Sequence, residues 1–257
     1  MLLAVDIGNT HTVIGLFRDT EMWDSWRIAS DPMKTEDEYA ILISNLLATE
    51  GHGMREIKAL VLSSTVPSLT DIWHQLTHKY FDIEPLIVNA DSKIDMPLLV
   101  DNPKMVGADR IVNSVAAIHK YGVNLIVVDL GTATTFDCIS ADGAYIGGAI
   151  APGVAVSAEA LAQKAAKLPD VQFVVPEKVL SPNTIGALQS GIIYGFAGQI
   201  DGIVKRLRAE MGGDVKVIAT GGLAEKIVSV CETVDEIDTT LTLRGLNLIF
   251  RKSIGKA

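Results

Sequence analysis

Asp6 closes an apolar run over residues 2–5 and is followed at once by Gly8, Asn9 and Thr10. A run of that length suits a covered strand, and a lone carboxylate at its end needs a partner or a task. Glycine tolerates positive φ, and the bare N–H groups of such a turn, joined by two short polar side chains, can face an anion. Asp6 would repel a phosphate unless a cation stood between them, so the group points to magnesium with a nucleotide. An ordinary hairpin turn would use the same residues. A second copy separates the two readings: residues 124–139, NLIVVDLGTATTFDCI, repeat the apolar run, aspartate, glycine, hydroxyl residues and strand, matching Asp6 to Asp129, Gly8 to Gly131 and Thr12 to Thr135. An internal repeat at that distance predicts two similar domains facing each other, with a nucleotide held by both turns.

A further cluster, Gly107-Ala108-Asp109-Arg110, opens a helical pattern carried by Ile111, Val112, Val115, Ala116 and Ile118. A carboxylate at a helix N-terminus is stabilised by the macrodipole, so Asp109 alone could be a simple end-of-helix charge. Arg110 gains nothing there and is better explained by an anionic partner such as a carboxylate. Gly221 and Gly222, between a strand and a helix, would admit a flat ring or a phosphate to the main chain, though a tight turn would also use them. His74 and His78 have the i, i+4 spacing of zinc ligands, but with no acidic or cysteine ligand read beside them they are expected to face solvent. No G-x-x-x-x-G-K-[ST] sequence occurs, which excludes a P-loop.

The elements that must position these residues follow from pattern. Residues 21–29 alternate as a third strand with Trp23 and Trp26 as core or edge aromatics, and Thr35 with Glu38 forms a capping box opening a helix through Leu47. Residues 57–63 predict a buried strand, then a helix capped by Ser68 or Thr70 and running to about Phe81, then a strand over 84–88 and an irregular connection over 90–104. In the second half a strand is expected over 143–151, a helix over 154–165, and a strand over 215–219 that leads into Gly221. The longest helical pattern starts at Asn183-Thr184, with Ile185, Leu188, Ile192, Phe196 and Ile200 on one stripe. Its glycines, Gly186, Gly191, Gly195, Gly198 and Gly202, are costly in a helix interior and predict close approach of another backbone, from the other half or a second subunit.

Of 257 residues 48% are hydrophobic, which is ample for cores, yet no 18-residue apolar run suggests a membrane span. A net charge of -9 with no basic run argues against nucleic acid as a partner. No secretory signal is visible, so a cytoplasmic protein is expected, with Cys138 and Cys231 as thiols.

Three strands followed by alternating helices and strands in each half resemble the superfamily of actin, sugar kinases and heat-shock-protein ATPases. The segments DIGNTHTVIGLF, DNPKMVGADRIVN, VVDLGTATTFD, GGAIAPG, KLP, SPNTIGALQSG and ATGG, in that order, resemble the type III pantothenate kinases along nearly the whole chain. The resemblance implies an α/β fold of two actin-like ATPase (ribonuclease H-like) domains, residues 1–115 and 116–257. Each would be a mixed five-stranded sheet with flanking helices, with the nucleotide in the cleft between them. It implies ATP-dependent phosphorylation of pantothenate to 4'-phosphopantothenate, the first step of coenzyme A biosynthesis, in a homodimer whose pantothenate pocket lies at the subunit interface.

Carried over by residue, the resemblance makes Asp109 catalytic and Arg110 the partner of the pantothenate carboxylate, with Gly107, Ala108, Val100 and Thr184 around the substrate. Asp6, Gly8, Asn9 and Thr10 become the first phosphate loop, with Asp6 serving magnesium through water; Gly131, Thr132 and Thr134 become the second. Gly221 and Gly222 fall in the adenosine segment. Asp129 and Thr184 match residues that hold a monovalent cation, potassium or ammonium. Some relatives place a lysine after the first loop and need no such ion; His11, Thr12 and Val13 stand there in this chain, so dependence on the ion is expected. Many relatives have a tyrosine at the position of Val100, which leaves the pocket wall open. A kinase acting on another hydroxy acid or sugar, and a non-enzymatic transcriptional accessory protein of the same fold, are the competing readings.

Overall fold

A computed structural model describes residues 1–165 and 167–256. In chain order the first half contains β1 (Leu2–Ile7), β2 (His11–Arg18), β3 (Glu21–Ala29), α1 (Glu36–Thr49), β4 (Ala59–Ser64), α2 (Pro67–Leu76), β5 (Leu86–Ile87) and α3 (Ala108–Tyr121). The second contains β6 (Leu125–Leu130), β7 (Ala133–Ile139), β8 (Tyr145–Pro152), α4 (Val154–Lys164), α5 (Thr184–Met211), β9 (Lys216–Thr220), α6 (Ala224–Val228), β10 (Glu236–Ile237) and α7 (Leu241–Ser253). By its contacts the chain divides into two units. One holds residues 1–95, 101–116 and the segment from 241 onward; the other holds 96–100 and 117–240. A single cut between 115 and 116 would assign 96–100 and the closing segment differently.

Within the first unit a five-stranded sheet runs β3-β2-β1-β4-β5. β1 pairs antiparallel with β2 and parallel with β4, so the sheet is mixed. Leu3, Val5 and Ile7 alternate onto one face of β1 and meet Leu16, Tyr39 and Trp73, all fully buried. The expected capping box is present: the Thr35 side chain accepts from the Glu38 N–H and the Glu38 carboxylate accepts from the Thr35 N–H. α7 packs against β1, β2 and β4. Gly245 lets it lie close to α3, since a Cβ there would stand 2.5 Å from the Val112 carbonyl oxygen.

In the second unit the order β10-β9-β6-β7-β8 is the same arrangement with the same sense of pairing: β6 is antiparallel to β7 and parallel to β9. β1 and β6 even share one burial sequence, with the aspartate as the single half-buried position. The core gathers Ile126, Val128 and Phe136 from the sheet with Ile193, Ile200 and Val204 from α5. Two mixed five-stranded sheets with flanking helices are therefore present, as expected. Both cysteines are thiols rather than disulfide-bonded, Cys138 buried and Cys231 half-buried. Among the described residues no helix is long and apolar enough to cross a membrane.

Several local expectations are corrected. α2 begins at Pro67 rather than Ser68 or Thr70, with proline at its first turn where a missing N–H costs nothing, and gives way after Leu76 to a π-helical turn, Thr77–Phe81. β5 is two residues instead of five, because Pro85 has no N–H to donate and pairing with β4 starts after it. α7, whose apolar periodicity passed unread, is a full helix. The repeat also aligns differently. Ile7 faces Thr12 across the first hairpin, and Leu130 faces Thr134 across the second. The second turn is thus one residue shorter and Thr12 corresponds to Thr134, not Thr135.

Candidate active site

In the first unit Asp6 is half-buried at the end of β1, directly beside Ser63 in the parallel register with β4. The Ser63 hydroxyl donates to Asp6 Oδ1 at 2.6 Å. Burial, opposed by that hydrogen bond and reinforced by the negative charge of Asp109, pushes the Asp6 carboxyl up to about 6. Asp109 lies in the first turn of α3, where its Oδ1 accepts the Arg110 N–H at 2.9 Å. That carboxylate folds back over Gly107, where a Cβ would collide with it. Burial raises its pKa, against the pull of the Arg110 N–H and guanidinium. Asp109 therefore does terminate its helix, and it also reaches Asp6 electrostatically.

Between β1 and β2 the turn exposes Asn9 and Thr10. The Gly8 N–H donates to the His11 carbonyl at 3.0 Å, and a Cβ on Gly8 would stand 3.1 Å from that oxygen. Close approach, rather than the expected positive φ, is what calls for glycine there, since Gly8 is not among the positive-φ residues. Asn9 Nδ2 donates to Thr65 Oγ1 at 3.4 Å, and Thr65 N–H to the Ile7 carbonyl at 3.0 Å, tying the turn to the end of β4.

The second unit repeats this plan. Asp129 lies beside Thr220 in the parallel register of β6 and β9, as Asp6 lies beside Ser63. Gly131 and Thr132 are exposed on the turn, whereas Thr134 is fully buried, so its hydroxyl does not face outward. Gly221, at φ +97°, brings the chain over this aspartate: a Cβ on it would stand 2.6 Å from Asp129 Oδ1 and 2.7 Å from the Leu130 nitrogen. The second turn and the Gly221-Gly222 segment thus converge on Asp129. Val100 lies in the same unit, 3.8 Å from where a Gly147 Cβ would be, on a segment joined to β8 through Leu98 and Tyr145. Thr184 is the exposed first residue of α5, which is capped by Asn183 accepting from the Gly186 N–H at 2.9 Å. Two residues escaped the sequence reading. Ser63 was visible as a polar residue ending an apolar run, and Gly153, whose N–H donates to the Thr132 carbonyl at 3.1 Å, as the glycine of a Pro-Gly pair.

The family model for Type III pantothenate kinase matches residues 2–206. Type III pantothenate kinases of Moorella thermoacetica and Halalkalibacterium halodurans are each 47% identical, over 98% and 99% of this chain and 100% of their own lengths. The chain belongs to the type III pantothenate kinase family. A solved Baf family transcriptional activator from Campylobacter jejuni shares the fold at a TM-score of 0.60, with 18% identity over 98% of this chain and 99% of its own. In the first unit the two half-buried carboxylates Asp6 and Asp109 lie near enough for the charge of Asp109 to disfavour that of Asp6, a cost that a hard divalent cation relieves, so the oxygen donors fit magnesium. A different donor set, His74, His78 and Glu84, has its ligand atoms within 4.8 Å of one another and could hold a divalent ion. The expectation that no acidic group stands near those histidines is thereby corrected.

Proposed function

We propose that the chain transfers the terminal phosphoryl group of ATP to the primary hydroxyl of pantothenate, releasing ADP and 4'-phosphopantothenate for coenzyme A synthesis in the cytoplasm. The observation that carries the reading is the match to type III pantothenate kinases along almost the whole chain. The neighbourhood of Asp6 and Asp109 in the first unit adds to it, because phosphate handling and acceptor handling have to meet.

Phosphoryl transfer to an alcohol passes through a loose transition state, so alignment and charge neutralisation outweigh base strength. Asp109 orients the hydroxyl and takes its proton late in the reaction. A carboxylate raised by burial is better suited to accept that proton than an ordinary one. Arg110 beside it pairs with the pantothenate carboxylate, with Gly107, Ala108 and Val100 lining the substrate. The N–H groups and side chains of Gly8, Asn9 and Thr10, and those of Gly131 and Thr132 on the turn that the buried Thr134 closes, cradle the nucleotide's phosphates, while Gly221 and Gly222 give the adenosine room. Asp6 would hold magnesium through water, and the ion would supply charge neutralisation at the phosphates. Asp129 and Thr184 would hold potassium or ammonium.

A coupled ADP-release assay with pantothenate and a panel of small hydroxy acids tests the reading. Asp109→Asn is expected to lower kcat by about 10²–10⁴-fold with little change in the KM for ATP. Preference for another acceptor would reassign the substrate, and no acceptor-dependent ADP release would leave a nucleotide-binding accessory protein.

A further inference from the structure

We propose that His74, His78 and Glu84 form a surface site for a borderline transition ion of the zinc type, separate from the magnesium that serves the phosphates. His74 lies in the last turn of α2 and His78 four residues on, in the π-helical turn Thr77–Phe81, with their rings edge to face and 4.6 Å between centroids. The chain reverses just after this turn at Asp82, which takes the left-handed conformation at φ 54°. The reversal carries Glu84 back to both imidazoles: Nε2 of His74 lies 3.2 Å from Oε1, and Nε2 of His78 lies 2.7 Å from Oε2.

The backbone that bears these groups is held in place independently of any ion. Lys79 pairs with Glu36 at 3.2 Å and Asp37 at 2.5 Å, and the Tyr80 hydroxyl donates to Asp37 at 2.6 Å, fastening the turn to the start of α1. Ligand atoms around tetrahedral zinc, at bond lengths of about 2.0–2.2 Å, stand roughly 3.3–3.5 Å apart. Those separations are reached from the present ones, all within 4.8 Å, by small rotations of exposed side chains, the carboxylate moving apart from His78. The three side chains are 40%, 49% and 69% exposed, so an ion has free access and water completes its shell.

The donor set also selects the ion. Two imidazoles and one carboxylate are a zinc-type set with an open fourth position. Neutral imidazole suits zinc, copper or nickel and offers little to magnesium or potassium, which prefer all-oxygen shells. Without an ion each imidazole can share an Nε2 proton with Glu84. On binding, each neutral ring carries its single proton on Nδ1 and presents the Nε2 lone pair to the metal. The bound ion joins the end of α2 to the approach to β5, so its effect is on the stability of this corner, not on phosphoryl transfer.

The intact chain, stripped with EDTA and returned to magnesium and potassium buffer, is titrated with zinc by calorimetry, with Tm followed alongside. We expect one zinc per chain, undisturbed by excess magnesium, with a rise in Tm of several degrees. The double variant His74→Ala/His78→Ala should lose at least about tenfold in affinity and most of the Tm rise, and Glu84→Gln a smaller part of each. Glu84 is exposed enough that its variant keeps the fold. ADP release with pantothenate and magnesium should be unchanged in all these variants, so the outcome is independent of the kinase reading. Zinc uptake equal in the wild type and the double variant, or no uptake by either, overturns the site.

Discussion

Asp6 is costly where it stands. Its carboxyl is pushed up to about 6 from an ordinary 3.8, so the folded chain holds that proton more tightly than the unfolded one. The associated stability is fully present below 3.8 and is lost as the pH rises through about 6. Asp6→Asn, which keeps an acceptor for the Ser63 hydroxyl, should therefore be more stable than the wild type near neutral pH in EDTA, by about 1–3 kcal/mol. At this chain length that is a rise in Tm of about 2–4 °C per kcal/mol, vanishing as the pH approaches 3.8. Magnesium should narrow the gap by stabilising the wild type alone, while kinase activity of the wild type falls as the pH drops below about 6. A variant less stable than the wild type in neutral EDTA would refute this account. His11 poses the converse case: burial and the Arg27 charge lower its pKa, so it brings no positive charge to the first turn at neutral pH. Activity in potassium should accordingly exceed that in sodium-only buffer, and equal rates would count against a monovalent ion at Asp129 and Thr184.

Among the elements, the turn after β9 is the most demanding. Gly221 combines φ +97° with backbone and carboxylate oxygen or nitrogen inside contact distance. Gly221→Ala should cost about 2–4 kcal/mol from strain and displaced neighbours, read as a lowered urea midpoint, and should raise the KM for ATP. Unchanged stability would mean that the turn relaxes freely. The long helix α5 divides its glycines into two kinds. Gly186 is crowded by Ser181, whose Oγ would meet a Cβ there, whereas Gly191, Gly195 and Gly198 have nothing among the described residues within 4 Å of where a Cβ would stand. Those three leave one face of α5 bare enough for a second backbone. The C-terminal half of α5 is tied down through Asp201, which accepts from the Glu232 and Thr233 N–H groups and the Thr233 hydroxyl.

At the scale of the whole molecule, the bare face of α5 and the exposed Ile185 near its start support a homodimer. Sedimentation at micromolar concentration should give twice the chain mass of 27.5 kDa, and a monomer there would count against the homodimer that the family resemblance implies. The amino-acid sequence by itself determined the duplicated plan, the two aspartate hairpins, the capping box of α1 and the family, because alternation, capping and motif order are written within a few residues of one another. Only the tertiary structure set Ser63 against Asp6, Gly221 over Asp129, Glu84 beside His74 and His78, and α7 on the sheet of the first unit. Those neighbours come from strand register and chain reversal. One residue more or less in a turn moves them, as the shorter second hairpin shows by pairing Thr134 where Thr135 was expected.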